Sequence, residues 1–235
     1  MARNDVFKRY ELKYLLSPEQ YAAVRAAMEG HMRGDKFGKS DICNIYYDTD
    51  SYILARRSAE KPIFKEKLRV RSYGVAGSES DIFVELKRKY DGVVYKRRVK
   101  TKLKDVDGVL AGGLNSQIGK EIAYFVSSYD GICPKVHLSY SREAFYAVDD
   151  PDFRMTFDTN ILWRSNDLSL DSKIYGAPIL KDGQVLLEIK TAAAIPMWLV
   201  KALSLNKIYK SSFSKYGEAY IQIVNGNKIG EQKIA

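Results

Sequence analysis

With 235 residues, 46% of them hydrophobic, the chain has enough apolar material for one substantial core, which excludes a disordered segment and predicts a single domain over residues 1–235. The 38 Lys and Arg against 29 Asp and Glu leave a formal charge of +9, so the expected partner is an anion. Cys43 and Cys133 stand in no metal-ligand spacing, the start of the chain is charged rather than apolar, and the apolar stretch 192–200 is broken by Pro196. These features predict a reduced, soluble, cytoplasmic protein with no membrane span.

In chain order, a first strand is predicted over residues 7–16. Ser17 then reads as an N-cap, with Pro18 at the first helical position and Gln20 closing a capping box, for a helix running to about Met32. Next come a strand at 42–47, a helix at 50–58, and strands at 64–73, 82–90 and 93–103. Asp91-Gly92 is a hairpin signal between the last two, and 74–80 and 105–115 read as loops. A helix at 116–128, strands at 136–148, 153–161 and 185–191, and helices at 196–205 and 214–224 complete the prediction.

Alternate side chains of a strand share one face, and that periodicity sorts the charges. Arg9, Glu11 and Lys13 fall together, as do Lys67, Arg69 and Arg71; Glu85, Lys87 and Lys89; Lys96 and Arg98; and Glu188 and Lys190. Like charges two residues apart stand about 6.6 Å from each other and repel by roughly 0.6 kcal/mol in water, or about 2.5 kcal/mol at an effective dielectric near 20. One such strand reads as the wet face of an ordinary sheet. Five of them favour an enclosed lumen in which Glu11, Glu85, Glu188 and a bound polyanion offset the repulsion. The expected architecture is an α+β fold: a closed eight-stranded antiparallel β-barrel with helices packed outside, just wide enough for long side chains and one narrow ligand. A linear chain of phosphates fits that space. Duplex nucleic acid does not, so no nucleic-acid partner is expected.

The charged strands, in order, resemble the polyphosphate polymerase domain of the vacuolar transporter chaperone (VTC) complex, within the triphosphate tunnel metalloenzyme superfamily. The resemblance rests on Glu11-Leu12-Lys13-Tyr14, Tyr46-Tyr47-Asp48-Thr49, Leu68-Arg69-Val70-Arg71-Ser72-Tyr73-Gly74, Val84-Glu85-Leu86-Lys87, Lys96-Arg97-Arg98, Tyr140-Ser141-Arg142, the run from Arg154 to Asn160, Leu187-Glu188-Ile189-Lys190 and Phe213-Ser214-Lys215-Tyr216. It implies transfer of the γ-phosphoryl group of ATP to a growing polyphosphate chain with a divalent metal, Mn²⁺ or Mg²⁺. By position, Lys13, Arg69, Arg71, Lys87, Lys96, Arg98, Arg142, Arg154, Lys190 and Lys215 look like phosphate-binding residues. Arg69, Arg71 and Arg142 are the expected catalytic groups around the transferred phosphoryl. Glu188 looks like the principal metal ligand, with Glu11 and Glu85 as further candidates. The alternatives are a metal-dependent triphosphatase of the same fold and a non-catalytic polyphosphate or nucleotide-binding protein. Arg9 stands where the adenylate cyclase and thiamine triphosphatase branch begins its paired glutamates, which argues against a hydrolase or cyclase.

Other signals are weaker. The stretch from Gly34 to Ser40 resembles a phosphate-binding P-loop but has three residues between its glycines where four are needed. His31 and His137 are isolated with no zinc spacing around them, and His137 reads as a structural residue in or beside a strand. Tyr10, Tyr14 and Phe157 read as outer packing of the barrel.

Overall fold

The computed structural model describes residues 10–60, 62–91 and 93–232, with side chains through residue 226. The first three residues of the predicted opening strand, Arg9 among them, therefore lie outside the described residues, as does Gly92 of the hairpin signal. In chain order the elements are β1 (Tyr10–Leu16), α1 (Pro18–Ala27), β2 (Met32–Asp48), α2 (Ile53–Glu60), β3 (Phe64–Tyr73), β4 (Asp81–Tyr90) and β5 (Val93–Lys102). A 3-10 turn (Leu103–Asp105), α3 (Val106–Leu110), α4 (Gln117–Ser127), β6 (Cys133–Ala147), β7 (Arg154–Arg164) and β8 (Ala177–Pro178) follow. The chain closes with β9 (Val185–Thr191), α5 (Met197–Leu205), β10 (Lys210–Ser211) and α6 (Lys215–Gln232).

The capping box forms as its residues dictate: Ser17 N donates to Gln20 Oε1 at 3.0 Å and Gln20 N to Ser17 Oγ at 3.2 Å. The helix stops at Ala27 instead of Met32, because Gly30 takes a left-handed φ of +74° and turns the chain. Met32 then opens β2, ten residues before the predicted strand. The P-loop-like stretch lies inside β2, across a register shift between Gly34 and Lys39. The expected loop at 105–115 contains α3, whose Val106, Val109 and Leu110 are buried against β3 and β4.

The sheet has ten strands, not eight, in the order β10-β1-β9-β7-β6-β2-β3-β4-β5 with β8 on β7. It curls without closing. β1 and β4 lie six steps apart along the sheet, yet Lys87 Nζ of β4 stands 3.0 Å from Glu11 Oε2 of β1. Backbone closure fails for two local reasons. The outer edge of β1 is occupied by β10, through Lys13 opposite Ser211 and Tyr14 opposite Lys210. β5 carries Lys96, Arg97, Arg98, Lys100 and Lys102 in one run, a charge density that discourages pairing of an edge strand. Among the described residues nothing pairs β5 to β1 or β10.

Two apolar clusters pack helices on the outer face: α3 and α4 against β3 and β4, and α1 and α5 against β1, β7 and β9. Tyr14 and Phe157 belong to the second, as expected. The helices are not all outside, however. A third cluster sets α2 and α6 against Tyr46, Leu138, Tyr140 and Leu186, and by alternation Leu138 and Tyr140 share the inner face with Arg142. That face runs from apolar to charged along β6, so the two helices fill one end of the curl and leave the rest to the cations. Cys43 and Cys133 are free thiols. Among the described residues no helix is long and apolar enough to cross a membrane.

Asp48 fastens the inner helices. Its Oδ1 accepts from Thr49 N at 2.8 Å and Leu54 N at 3.0 Å, and its Oδ2 from Ala55 N at 2.9 Å and the Tyr216 hydroxyl at 2.7 Å. Asp48→Asn would turn one of those acceptors into a donor facing donors. The expected cost is about 2–4 kcal/mol in urea unfolding; an unchanged midpoint would mean that α2 and α6 are held by packing alone.

Candidate active site

The inner face of the curl encloses a cavity of about 310 Å³. Strand register builds it. Glu85 on β4 sits between Arg69 on β3 and Arg98 on β5, and Glu188 on β9 sits beside Lys13 on β1. Each carboxylate is thereby surrounded by cations. Arg69 grips Glu85 Oε2 through Nε at 2.8 Å and a terminal nitrogen at 2.7 Å. Lys96 Nζ lies 2.5 Å from Glu85, Arg98 3.6 Å and Arg71 3.8 Å. Glu188 faces Lys215 at 2.9 Å, Arg142 at 3.1 Å, Lys13 at 3.4 Å and Lys190 at 4.0 Å. Asp158, fully buried, takes a bidentate grip from Arg142 at 2.6 and 2.7 Å and Lys215 at 2.5 Å.

Burial alone would raise the carboxyl pKa of Glu85, but Arg69, Arg71 and Lys96 outweigh it and hold the group well below the usual range. The same balance, with Lys215, Lys13 and Arg142 as the cations, holds Glu188 down. Lys87, more than any other neighbour, lowers Glu11.

Nine cations line the cavity, against Glu11, Glu188, Glu85 and Asp158 as the carboxylates they touch. The excess is visible in the lysines. Burial, with Arg69 and Arg71 adding to it against Glu85, pushes Lys96 down to about 8. Burial and Arg142 push Lys190 to about 8. Asp158 and Glu188 hold Lys215 up, and Glu188 and Glu11 hold Lys13 up, so it is around Lys96 and Lys190 that the buried site is short of negative charge, which a multiply charged anion supplies. Two tyrosines of the inner face orient the guanidinium groups. Arg69 donates to the Tyr46 hydroxyl at 2.9 Å, and Arg71 to the Tyr140 hydroxyl at 3.0 Å and Asn44 Oδ1 at 2.8 Å.

Of the phosphate-binding residues expected from sequence, Lys13, Arg69, Arg71, Lys87, Lys96, Arg142, Lys190 and Lys215 line this one cavity, together with Glu11 and Glu188. Arg98 does not. It stands beyond Glu85 with its guanidinium 3.4 Å over the Phe83 ring. Arg154 is also elsewhere, donating to the Tyr146 hydroxyl at 2.9 Å and stacked on that ring. Tyr10, read as outer packing, borders the cavity, since it opens β1 where the curl is uncovered.

Lys67, Asp158, Tyr46, Tyr140 and Ser214 were not among the expected site residues. Alternation had grouped Lys67 with Arg69 and Arg71 without giving it a role, and Asp158 shares a face of β7 with Arg154, so the same period could have found it. The tyrosines carried no such signal, because a ring that packs and a hydroxyl that holds an arginine look alike in sequence. His137 lies on the face of β6 opposite Arg142, buried and neutral, its pKa pushed down to about 4 by burial and Arg164.

A second chamber of about 670 Å³ adjoins the first and shares Glu11, Lys13, Lys67, Lys87, Val94 and Ser214 with it. Lys65, Lys89 and Lys210 line it further out, and no arginine does among the described residues. Guanidinium groups thus concentrate at the inner end, where planar, two-pronged contacts are possible, and mobile point charges along the outer one.

Among the described residues no cluster of three His, Cys, Asp or Glu side chains forms a metal site by itself. Glu11 and Glu188 both approach Lys13 Nζ to 3.4 Å. That donor set fits a hard cation which takes one or two carboxylates and completes its shell with phosphate oxygens and water. Glu85 and Glu188 are each surrounded by four cations; what favours Glu188 is that Glu11 shares Lys13 with it.

The sequence profile of the VTC domain matches residues 8–224. Vacuolar transporter chaperone complex subunit 4 of Schizosaccharomyces pombe is 25% identical over 234 residues, which is 78% of this chain and 32% of that protein. The subunit of the same name from Trypanosoma brucei brucei is 24% identical, covering 91% of this chain and 34% of that protein. The chain therefore spans about a third of the length of these relatives. A solved chain from Bacillus halodurans, a proposed adenylate cyclase, superposes with a TM-score of 0.53 at 13% identity, covering 88% of this chain and 95% of that one. That likeness is one of fold.

Proposed function

The chain belongs to the VTC domain family, and from that premise we propose that it is an ATP-dependent polyphosphate polymerase, moving the γ-phosphoryl group of ATP onto a phosphate chain held in the cavity. The observation that carries this reading is the convergence of nine basic side chains, eight of them ion-paired, on one concave space continuous with a lysine-lined chamber. Phosphoryl transfer has a loose transition state, so the protein's work is in-line positioning and stabilisation of charge on the non-bridging oxygens. Arg69, Arg71 and Arg142, each already holding a carboxylate, amide or tyrosine of the cavity, would stabilise the transferred group through the N–H groups that remain. Lys13, Lys87 and Lys215 neutralise neighbouring phosphates, and the outer lysines give the lengthening chain a path. Glu188, with Glu11, would hold Mg²⁺ or Mn²⁺. When bound, that ion neutralises phosphate oxygens.

The test is incubation of the purified protein with ATP and Mn²⁺, with and without tripolyphosphate as primer. A ladder of chains on a polyphosphate gel is expected. Inorganic phosphate without chain growth would assign the triphosphatase reaction instead, and binding without turnover would leave a sensor.

The low pKa of Lys96 sets a pH dependence. Lys96 faces Glu85, Arg69, Arg71 and, across the strand pair, Lys87. An anion binds the ammonium and not the amine, so it raises this pKa; above pH 8 the free protein must take up a proton to bind. Tripolyphosphate affinity is expected to fall as pH rises through about 8, by up to tenfold per unit. Calorimetry at pH 8.5 in buffers of differing ionisation enthalpy should register the uptake. Lys190, also held near 8, should share in the uptake, so Lys96→Arg should reduce it and Lys96→Arg with Lys190→Arg should remove it; uptake of undiminished size in the double variant would assign it to another group.

A further inference from the structure

Lys67 is the exception among the cavity's cations. Each of the other eight lies within 4.0 Å of a carboxylate. Among the described residues Lys67 has no such partner; its Nζ lies 3.0 Å from Ser214 Oγ, with the Tyr216 ring 5.8 Å away. Ser214 directly precedes α6, and its Oγ accepts from Gly217 N at 3.2 Å. As an ammonium, Lys67 donates to the same oxygen; as an amine it has a lone pair instead, and the hydroxyl proton can then turn to it across the same 3.0 Å. Both residues line the inner cavity and the outer chamber, so the hydroxyl stands at their junction. The residue after it, Lys215, reaches Asp158 and Glu188, which Arg142 also touches.

We propose that Ser214 is the first phosphoryl acceptor, with Lys67 as its general base, so that the protein primes its own polymer. This rests on the polymerase reading. In the step, Ser214 Oγ forms a bond to the γ-phosphorus of a nucleoside triphosphate. The bond from that phosphorus to the β,γ-bridging oxygen breaks, and its electron pair leaves with the nucleoside diphosphate. The hydroxyl proton passes to Lys67 Nζ. The product is phosphoserine at the junction of the two chambers, whose phosphate oxygens then serve the next transfer as a free primer would. Burial, and then the charges of Lys13, Lys87, Lys65 and Arg69, hold the Lys67 ammonium well below the ordinary lysine range, which gives the amine a lone pair for that proton.

The experiment compares primer-free synthesis from ATP and Mn²⁺ with synthesis primed by tripolyphosphate, for the wild type, Ser214→Ala, Ser214→Asn and Lys67→Arg. Asparagine keeps a helix-capping side chain but offers no hydroxyl, and arginine keeps the charge but cannot act as a base at neutral pH. In the wild type, peptide mass spectrometry early in the reaction should find phosphoryl groups on Ser214. In all three variants the ratio of primer-free to primed rate should fall at least tenfold. Unchanged ratios with an unmodified Ser214 peptide, in a wild type that extends added tripolyphosphate, would overturn priming alone. A wild type that extends no primer at all would overturn the polymerase reading and this one with it.

Discussion

Arg69→Ala combined with Arg71→Ala is expected to weaken tripolyphosphate binding by about 10²–10⁴-fold, from two lost charge-assisted contacts of roughly 1.5–3 kcal/mol each. The same pair should cost about 3–5 kcal/mol of stability, because it strips a buried carboxylate of its partners. Glu85 is only 1% exposed, and without the two arginines it keeps Lys96 at 2.5 Å and Arg98 at 3.6 Å. Asn44 and Tyr140 would lose their guanidinium partner as well. The two losses separate on adding Glu85→Gln. The triple variant should regain most of its urea stability, since no buried charge is left to offset, yet still fail to bind tripolyphosphate in a calorimeter. Binding that survives in the double variant, or returns in the triple one, would mean that the arginines are scaffolding for Glu85 and no part of an anion site.

How far the sequence discloses this arrangement depends on the range of the interaction. Alternation within one strand is local, so Lys67, Arg69 and Arg71 could be assigned one face directly, and the Ser17–Gln20 capping box declared itself within four residues. Family resemblance added order along the chain and named eight residues that share the cavity. What lay outside reach was register. That Glu85 stands between Arg69 and Arg98 follows from two pairings, and no local pattern states which residues lie opposite each other. The first part of β2 was illegible for a different reason. Gly34, Asp35 and Gly38 suit a turn, and Phe37 is 69% exposed, so neither composition nor alternation marks a strand; its pairing with β6 imposes one. Strands of two residues such as β8 and β10 have no period to detect, yet β10 occupies the edge that closure would have used. α6 misled by looking like any helix with an apolar side, when that side packs into the curl.

Glu188 offers the separation that matters most for function. Its replacement by alanine would leave Lys13, Arg142, Lys190 and Lys215 sharing Asp158 and Glu11 as counter-charges. Without ligand, Glu188→Ala should therefore lose about 3–5 kcal/mol. A polyanion supplies the missing charge, so tripolyphosphate at a hundred times its Kd should return about 2.7 kcal/mol through binding to the folded state alone. Affinity for tripolyphosphate should hold or rise, since a competing carboxylate has gone. Turnover should nonetheless fall by about 10²–10³-fold, the usual cost of removing one group that stabilises developing charge. The variant would thus bind well and react poorly, the reverse of what a residue serving only to attract anions would do. Thermal melts with and without tripolyphosphate, set beside rates of chain growth, test both halves. If binding collapses as in the arginine pair, Glu188 is a strut that positions Lys215 and Arg142; if turnover is unchanged, the carboxylate has no place in the reaction and the cations alone carry it.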